Sequence, residues 1–464
     1  MTRSLPSSID ESATELAARL LALCGGRAAL VSIDLSPETS RALAAQRFES
    51  LAARATVLWH RRNESRLMAG FGRALEIRGE PDSTLEAAAL EIRTLSSSAR
   101  AATLELARPR LFGGARFTAR GSRRDPAWSA FGGWQFVVPE VLLSIHGDLV
   151  AASLTLRVPA HESVDDLAAR VRRAIANAFE EHPEPQTESA TEARHTGAGG
   201  SAWESSVATA IGEIAAGRYR KVVLARQVPV PLSGATPPVG EVLGRLATRY
   251  PSCFVFKHQA GSSNWVGASP ELLASLDNGV VRAASLAGTR PRSQDPDADV
   301  RLAHELWNDP KERSEHAFVA AALHEAFTPL CTEVHAPAQP EIMTIANLHH
   351  LYTPFHGNVR EGVTILDVVQ RIHPTPAVGG APRAEALEAI DRLEDMDRGW
   401  YAGPIGWLDF DGAGEFAVAL RSGLISRDEA LLFAGGGIVA GSDPARELAE
   451  TELKLRPLRE ALGG

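Results

Sequence analysis

The sequence predicts an α+β fold built on largely antiparallel sheets, and three observations predict it. Strand-like segments cluster with one another and helix-like segments do the same, instead of alternating in regular βαβ order. Residues 134–158, WQFVVPEVLLSIHGDLVAASLTLRV, alternate apolar and β-branched residues about the turn His146-Gly147-Asp148, the pattern of a hairpin. Finally, 464 residues that are 44% hydrophobic and 23% charged supply ample core material, which excludes disorder, collagen and fibre.

In chain order, residues 163–180 keep a helical period after that hairpin. Next comes EEHPEPQTESATEARHTGAGGSA, polar, rich in Pro, Gly and Ser, and without hydrophobic period. The chain therefore divides into an N-terminal strand and helix region over 1–180, a linker-like loop over 181–202, and a main region over 203–464. The main region opens with a helix near 203–216 and the strand KVVLARQVPV at 221–230. A helix at 239–249 and strands at 253–258, 263–268, 271–277 and 280–285 follow. No repeat of fixed period is present.

A formal net charge of −9, with no Lys/Arg tract interleaved with aromatics, gives no field for a phosphate backbone, so nucleic acid is not an expected partner. Cys24, Cys253 and Cys331 lie far apart and form neither a disulfide framework nor a zinc motif. The apolar patch Leu20 to Cys24 follows Asp10, Glu11 and Glu15 and is preceded by Arg19, unlike a secretion signal, and no run approaches membrane-spanning length. A cytoplasmic protein with no membrane partner is expected.

Only four of the 48 basic residues are lysines: Lys221, Lys257, Lys311 and Lys454. Guanidinium does not deprotonate in proteins, so a proton-accepting amine must be one of these four. Two segments begin alike. NDPKERSEHAFVAAALHEAF starts with Asp309 as N-cap and Pro310 at the first helical position, and GSDPARELAETELKLRPLREAL repeats the device with Asp443 and Pro444. Glu312 with Glu315, and Glu447 with Glu450, stand three apart and share a helix face. Acids in a first turn also complement the helix dipole. If the two faces meet, four carboxylates in one cleft call for a divalent cation such as Mg²⁺.

The residues from 203 to 462 resemble the chorismate-utilising enzymes, and among them the isochorismate synthases. The resemblance rests on ordered blocks: KVVLAR (221–226), GASPELL (267–273), SLAGTRPR (285–292), KERSEH (311–316), HHLYTPFHG (349–357), HPTPAVGGAP (373–382), RGWYAGPIGW (398–407), ALRSGLI (419–425), GGGIV (435–439) and ELAETELK (447–454). FGGWQFVVPEVLL (131–143) is similar to an early strand pair of the same enzymes. The resemblance implies one large unit of two packed, largely antiparallel sheets flanked by helices, with the N-terminal strands integrated.

It also implies roles. Lys221 becomes the base that activates water and Glu271 the acid that protonates the departing hydroxyl. Glu315 and Glu450 become the Mg²⁺ carboxylates, with Glu312 and Glu447 supporting through water. Tyr401, Arg421, Lys454 and backbone amides at Gly435, Gly436 and Gly437 hold the substrate carboxylates, while Thr289 and His350 line the pocket. Gly436 stands where the family often has Ala, a change the expected loop there tolerates.

Lys221 also separates this chain from anthranilate synthases, which usually carry Gln there and use ammonia. No glutamine amidotransferase subunit is therefore expected. Ala287 excludes the nucleophilic lysine of aminodeoxychorismate synthases. The resemblance thus implies conversion of chorismate to isochorismate. Two alternatives stay open: a salicylate synthase, which shares the base lysine and differs mainly in pocket shape, and a chorismate-binding protein without catalysis.

Overall fold

The computed structural model describes residues 7–179, 200–232, 238–345 and 348–463, without the side chains of residues 7–12, 287, 289, 311, 315, 345 and 348. Successive side chains of a strand point to opposite faces, and here that alternation sorts residues into layers. Val57, Trp59, Phe254, Phe256 and Trp265 enter one core rich in aromatics, whereas their neighbours Leu58, Val255 and Val266 enter a second, aliphatic core.

Among the described residues, the sheet that separates these cores has twelve strands. From edge to edge they are Gly380–Ala381, Lys221–Pro231, Glu429–Val439, Ser422–Ile425, Ser263–Ser269, Phe254–Ala260, Val57–Arg61, Arg66–Phe71, Val141–His146, Leu149–Val158, Ala29–Asp34 and Arg100–Ala102. Its strands pair antiparallel except the last two. Helices Ser7–Cys24, Val164–Phe179, Val239–Arg249 and Pro444–Ala461 cover its outer face.

The second sheet runs Cys331–His335, Leu348–Val359, Val280–Pro291, Leu272–Asp277, Gly414–Val418, Pro404–Asp409, Arg110–Ala115, Trp134–Val138 and Leu75–Gly79, with Glu341–Ile345 also paired to Leu348–Val359. The molecule is thus α+β, with two large, mainly antiparallel sheets packed face to face and flanked by helices. Strands from either side of residue 180 contribute to both sheets. Residues 181–199 of the linker-like segment lie outside the described residues, and its last three begin the helix Gly200–Ala215.

The strand order mirrors itself. Outward from the junction of Phe254–Ala260 with Val57–Arg61, each half of the larger sheet continues with a strand that leads into the smaller sheet, then a hairpin. Sequence reading finds no fixed period because the two halves share connectivity and not residue spacing.

The expected elements occur with small shifts in their ends. The difference is the strand expected at 280–285, which runs on from Val280 to Pro291 through the SLAGTRPR block. It carries a register shift between Ala287 and Thr289, where Gly288 adopts φ +78°. A bulge of this kind needs one residue in the left-handed region, which glycine enters without strain.

Between the sheets, fully buried Trp265 has ring neighbours Trp128 at 5.0 Å, Phe433 at 5.8 Å and Phe256 at 6.3 Å. Removing such a ring leaves a cavity that a packed core refills only in part. Trp265→Ala is expected to destabilise the fold by roughly 3–5 kcal/mol, measured by urea unfolding. Trp265→Phe is expected to cost less, since the indole N–H has no hydrogen-bond partner among the described residues.

Candidate active site

Twice, side by side, the chain leaves one sheet for the other. After Ser263–Ser269 in the larger sheet, Pro270 and Glu271 cross to Leu272–Asp277 in the smaller; after Gly414–Val418 in the smaller, residues 419–421 cross back to Ser422–Ile425. The crossings bond to each other. Val418 N–H donates to Glu271 O at 3.1 Å and Ala268 N–H to Arg421 O at 3.2 Å. Ser269 Oγ accepts from Glu271 N–H and donates to Val418 O. Glu271 and Arg421 are therefore fixed at the sheet junction. Arg421 holds φ +48°, a left-handed conformation that costs a non-glycine residue about 1 kcal/mol.

Lys221 begins the strand Lys221–Pro231 and is half-buried. Gly435, Gly436 and Gly437 are not in a loop, as expected from sequence, but lie within the strand Glu429–Val439, in register with Ala225, Leu224 and Val223. The glycines there leave room for side chains from neighbouring elements. A Cβ on Gly437 would meet Lys221 Cε at 3.2 Å, and one on Gly435 would meet Leu224 O at 2.9 Å and Tyr401 Oη at 3.2 Å.

Tyr401 is buried, stacked on Phe433 at 5.4 Å and 17°, and its burial pushes the phenol well above its usual range, so it stays a neutral hydroxyl. Lys454, on the C-terminal helix Pro444–Ala461, donates to Gly435 O at 2.8 Å and pairs with Glu450 at 2.6 Å. Glu447 stands over Gly436, with Oε2 3.0 Å from where a Cβ would be.

The charges of Lys221 and Lys454 both act on Glu271. They lower its pKa, but burial outweighs them and lifts the carboxyl from 4.5 to about 7. His350 is half-buried, and its pKa is lowered by burial first and then by the charges of Arg421, His349 and Lys454, against a backbone hydrogen bond with Gly288. Glu312 reaches the other side of Gly288, with Oε2 3.2 Å from where its Cβ would be.

These contacts and charge interactions bring Lys221, Glu271, His350, Tyr401, Arg421, Gly435, Gly436, Gly437, Glu447, Glu450 and Lys454 together around the sheet junction, with Glu312 at the Gly288 bulge. Asp309 and Asp443 start their helices as expected, accepting from Glu312 N–H at 3.3 Å and Arg446 N–H at 2.9 Å. The Thr289 backbone pairs with His350, but its side chain and that of Glu315 lie outside the described residues. Sequence reading passed over Glu394 and Arg398, a buried pair behind the cleft whose signal is an acid and a base four residues apart.

A strand-borne amine, a buried carboxylic acid, a neutral phenol and two further cations thus meet where the two sheets join. The chain belongs to the chorismate binding enzyme family, whose model matches residues 20–463. It is 37% identical over 356 residues to the isochorismate synthase MenF of Bacillus subtilis, covering 77% of this chain and 75% of that protein. It is also 37% identical over 361 residues to the salicylate biosynthesis isochorismate synthase of Pseudomonas aeruginosa, covering 76% and 74%. The structure of MenF, the menaquinone-specific isochorismate synthase from Escherichia coli, superposes with a TM-score of 0.78 over 97% of this chain and 99% of that one; at 24% identity this likeness speaks for the fold.

The Glu271 pKa makes a prediction about stability. A carboxyl raised from 4.5 unfolded to about 7 folded favours the folded state when protonated. That contribution is complete below pH 4.5 and lost as the pH rises through 7. Glu271→Gln, which cannot ionise, is expected to raise the melting temperature relative to the parent at pH 8.5 and to change it little at pH 5, measured by calorimetry.

Proposed function

We propose that the protein is an isochorismate synthase that uses Lys221 as base and Glu271 as acid. The observation that carries this reading is the pairing of an amine and a protonated carboxyl in one cleft. Glu271 is lifted to about 7 by burial, against the charges of Lys221 and then Lys454; the form of Lys221 that acts as base is its neutral amine. Lys221 takes a proton from water, whose oxygen bonds to C2 of chorismate. The ring double bonds shift, the C4–O bond breaks, and Glu271 gives its proton to the departing hydroxyl, which leaves as water. One water enters and one leaves, so the product is an isomer. The proton gained by Lys221 returns to Glu271 to close the cycle.

Chorismate is a dianion. Arg421 offers a planar fork suited to a carboxylate, and Lys454 adds a second cation over the glycine strand. Tyr401, neutral and stacked on Phe433, donates a hydroxyl hydrogen bond without adding charge. Thr289 and His350 line the pocket in this reading. In this reading backbone amides of Gly435, Gly436 and Gly437 complete the carboxylate cradle.

Carboxylate oxygens are the donors Mg²⁺ prefers; Glu447 and Glu450 stand three apart on the C-terminal helix Pro444–Ala461, and Glu312 lies on the helix Pro310–Phe327 at the Gly288 bulge, although the described residues by themselves form no group of three ligands. Glu315 and Glu450 would hold it, with Glu312 and Glu447 acting through water. When bound, Mg²⁺ supplies charge neutralisation and a fixed partner for a substrate carboxylate. Because Lys221 activates water, the reading needs no amidotransferase subunit as an ammonia source.

Incubation with chorismate and Mg²⁺ is expected to release isochorismate with negligible pyruvate at neutral pH, while stoichiometric pyruvate and salicylate would make the protein a salicylate synthase instead. Chelation is expected to abolish turnover and added Mg²⁺ to restore it. Lys221→Arg keeps the charge but accepts no proton, and its kcat is expected to fall by about 10²-fold or more; a parental rate would remove the base assignment. The acid must be protonated, so kcat/KM is expected to decline as the pH rises past about 7.

A further inference from the structure

We propose that Glu394 and Arg398 are positioning residues for Lys221 and Tyr401: a buried ion pair that replaces a missing neighbour strand along the edge of Lys221–Pro231. The proposal rests on the reading of Lys221 as base.

The strand that bears Lys221 pairs on one side with Glu429–Val439 along its whole length. On the other side Gly380–Ala381 meets only Lys221 and Val222. Beyond that point no strand among the described residues pairs with this edge, and buried amide groups without partners are costly. Two side chains serve instead. Val223 N–H donates to Gly379 O at 3.0 Å; Val223 O then accepts from Arg398 Nη2 at 2.6 Å, and Ala225 N–H donates to Glu394 Oε1 at 2.7 Å.

The pair is closed on itself. Arg398 Nε donates to Glu394 Oε2 at 2.8 Å and Oε1 at 3.1 Å, and Nη1 donates to Val378 O at 3.1 Å. The guanidinium lies over the Phe117 ring at 4.1 Å. Both residues are only 5% exposed. Breaking such a pair by neutralising one partner leaves a buried charge unpaired, so both must be present for the arrangement to hold.

Both residues lie just before Tyr401 in the chain, and Arg398 opens the turn that delivers it. Tyr401 N–H donates to Arg398 O at 2.8 Å, and the charges of Arg398 and Glu394 act on the Tyr401 phenol in opposite senses. From the other side Asp397 pairs with Arg116 and accepts from Gly399 N–H at 2.9 Å, so the turn is held between two buried ion pairs. Behind the pair is a cavity of about 520 Å³ lined in part by Phe117, Arg383, Leu387 and Met396. Once the pair is broken, water from that cavity reaches the strand edge two residues from Lys221. Glu394 and Arg398 touch neither substrate nor reacting atoms. Their effect is exerted through the base and the phenol.

The test uses the full chain with Mg²⁺ and chorismate, comparing the parent with Glu394→Gln, Arg398→Lys and Lys221→Ala well below each melting temperature. Displacement of the base by a fraction of an ångström is expected to lower kcat of Glu394→Gln and Arg398→Lys by about tenfold or more. KM is expected to change less than kcat, because Arg421 and Lys454 sit on elements the pair does not touch and only Tyr401 among the carboxylate-holding side chains moves with it. A merely structural role moves the melting temperature and leaves kcat per folded molecule unchanged; that result overturns the proposal, as does a rise in KM with kcat preserved. Lys221→Ala separates the two levels of argument. If it is inactive while Glu394→Gln and Arg398→Lys match the parent, the base stands and the pair has no positioning role. If Lys221→Ala keeps the parental rate, the base assignment fails and takes this proposal with it.

Discussion

The site depends on one constraint: two sheets packed face to face are joined by two adjacent crossings that hydrogen-bond to each other. A residue within a strand has its side chain assigned to one face by the pleat. A residue at a crossing belongs to neither ladder, and its side chain is directed by the junction. Glu271 and Arg421 occupy these positions, and the bonds from Val418 N–H to Glu271 O and from Ala268 N–H to Arg421 O hold each crossing against the other. Everything else is brought to that junction. Lys221 arrives at the start of an edge-proximal strand, Lys454 on the C-terminal helix, and Tyr401 on a turn pinned by two buried ion pairs.

The mirrored strand order means that the N-terminal half has crossings too, at Gly72 and at Pro139-Glu140. There the space is filled. A Cβ on Gly72 would meet Glu140 Oε2 at 2.2 Å, and one on Gly70 would meet Val57 and Pro139 side chains within 2.8 Å. Burial raises the Glu140 pKa, with Arg170 and Arg173 from the covering helix opposing. In the C-terminal half the run Gly435 to Gly437 does the reverse, removing side chains from a strand so that Lys221, Tyr401 and Glu447 can approach it. Topology supplies two junctions, and side-chain volume leaves a cleft at one.

What the sequence revealed follows from how local each signal is. The two Asp-Pro helix starts were legible because capping is settled within four residues, and both caps form. Strand periodicity marked the segments between 134 and 158 and between 221 and 285 for the same reason, and not the strands before or after them. The extension of Val280–Pro291 past 285 was not legible, since a bulge at Gly288 interrupts the alternation. The glycine run read as a loop because glycine is usual in loops; its place in a strand depends on what packs against it. The scarcity of lysine pointed to Lys221 and Lys454 but equally to Lys257, which is buried, donates to Ala52 O and Ala53 O at 3.0 and 2.8 Å, and so secures the end of helix Phe48–Arg54. Glu394 and Arg398 escaped notice because their partners, Val223 and Ala225, lie some 170 residues away in sequence.

The electrostatics of the cleft also explain why an acid and two lysines can coexist there at neutral pH. Burial alone would leave Glu271 firmly protonated; Lys221 and Lys454 pull it back until it titrates near 7. A proton donor with a pKa close to the working pH gives up its proton readily and recovers it readily. In the proposed reaction the substrate shifts this balance in a useful direction. Its two carboxylates add negative charge beside Lys454 and Arg421, and negative charge near a carboxyl raises its pKa. Glu271 is then more fully protonated with substrate present than in the empty cleft, so the acid is charged with its proton by the same binding event that brings it a hydroxyl to protonate. Lys454 pairs with Glu450 at 2.6 Å and reaches Gly435 O at 2.8 Å, which places its cation between the helix carboxylates and the glycine strand. In the proposed reaction that position links the helix carboxylates to the acid, and it suits a compact ammonium on a flexible stem better than the broad planar fork of the otherwise prevalent arginine.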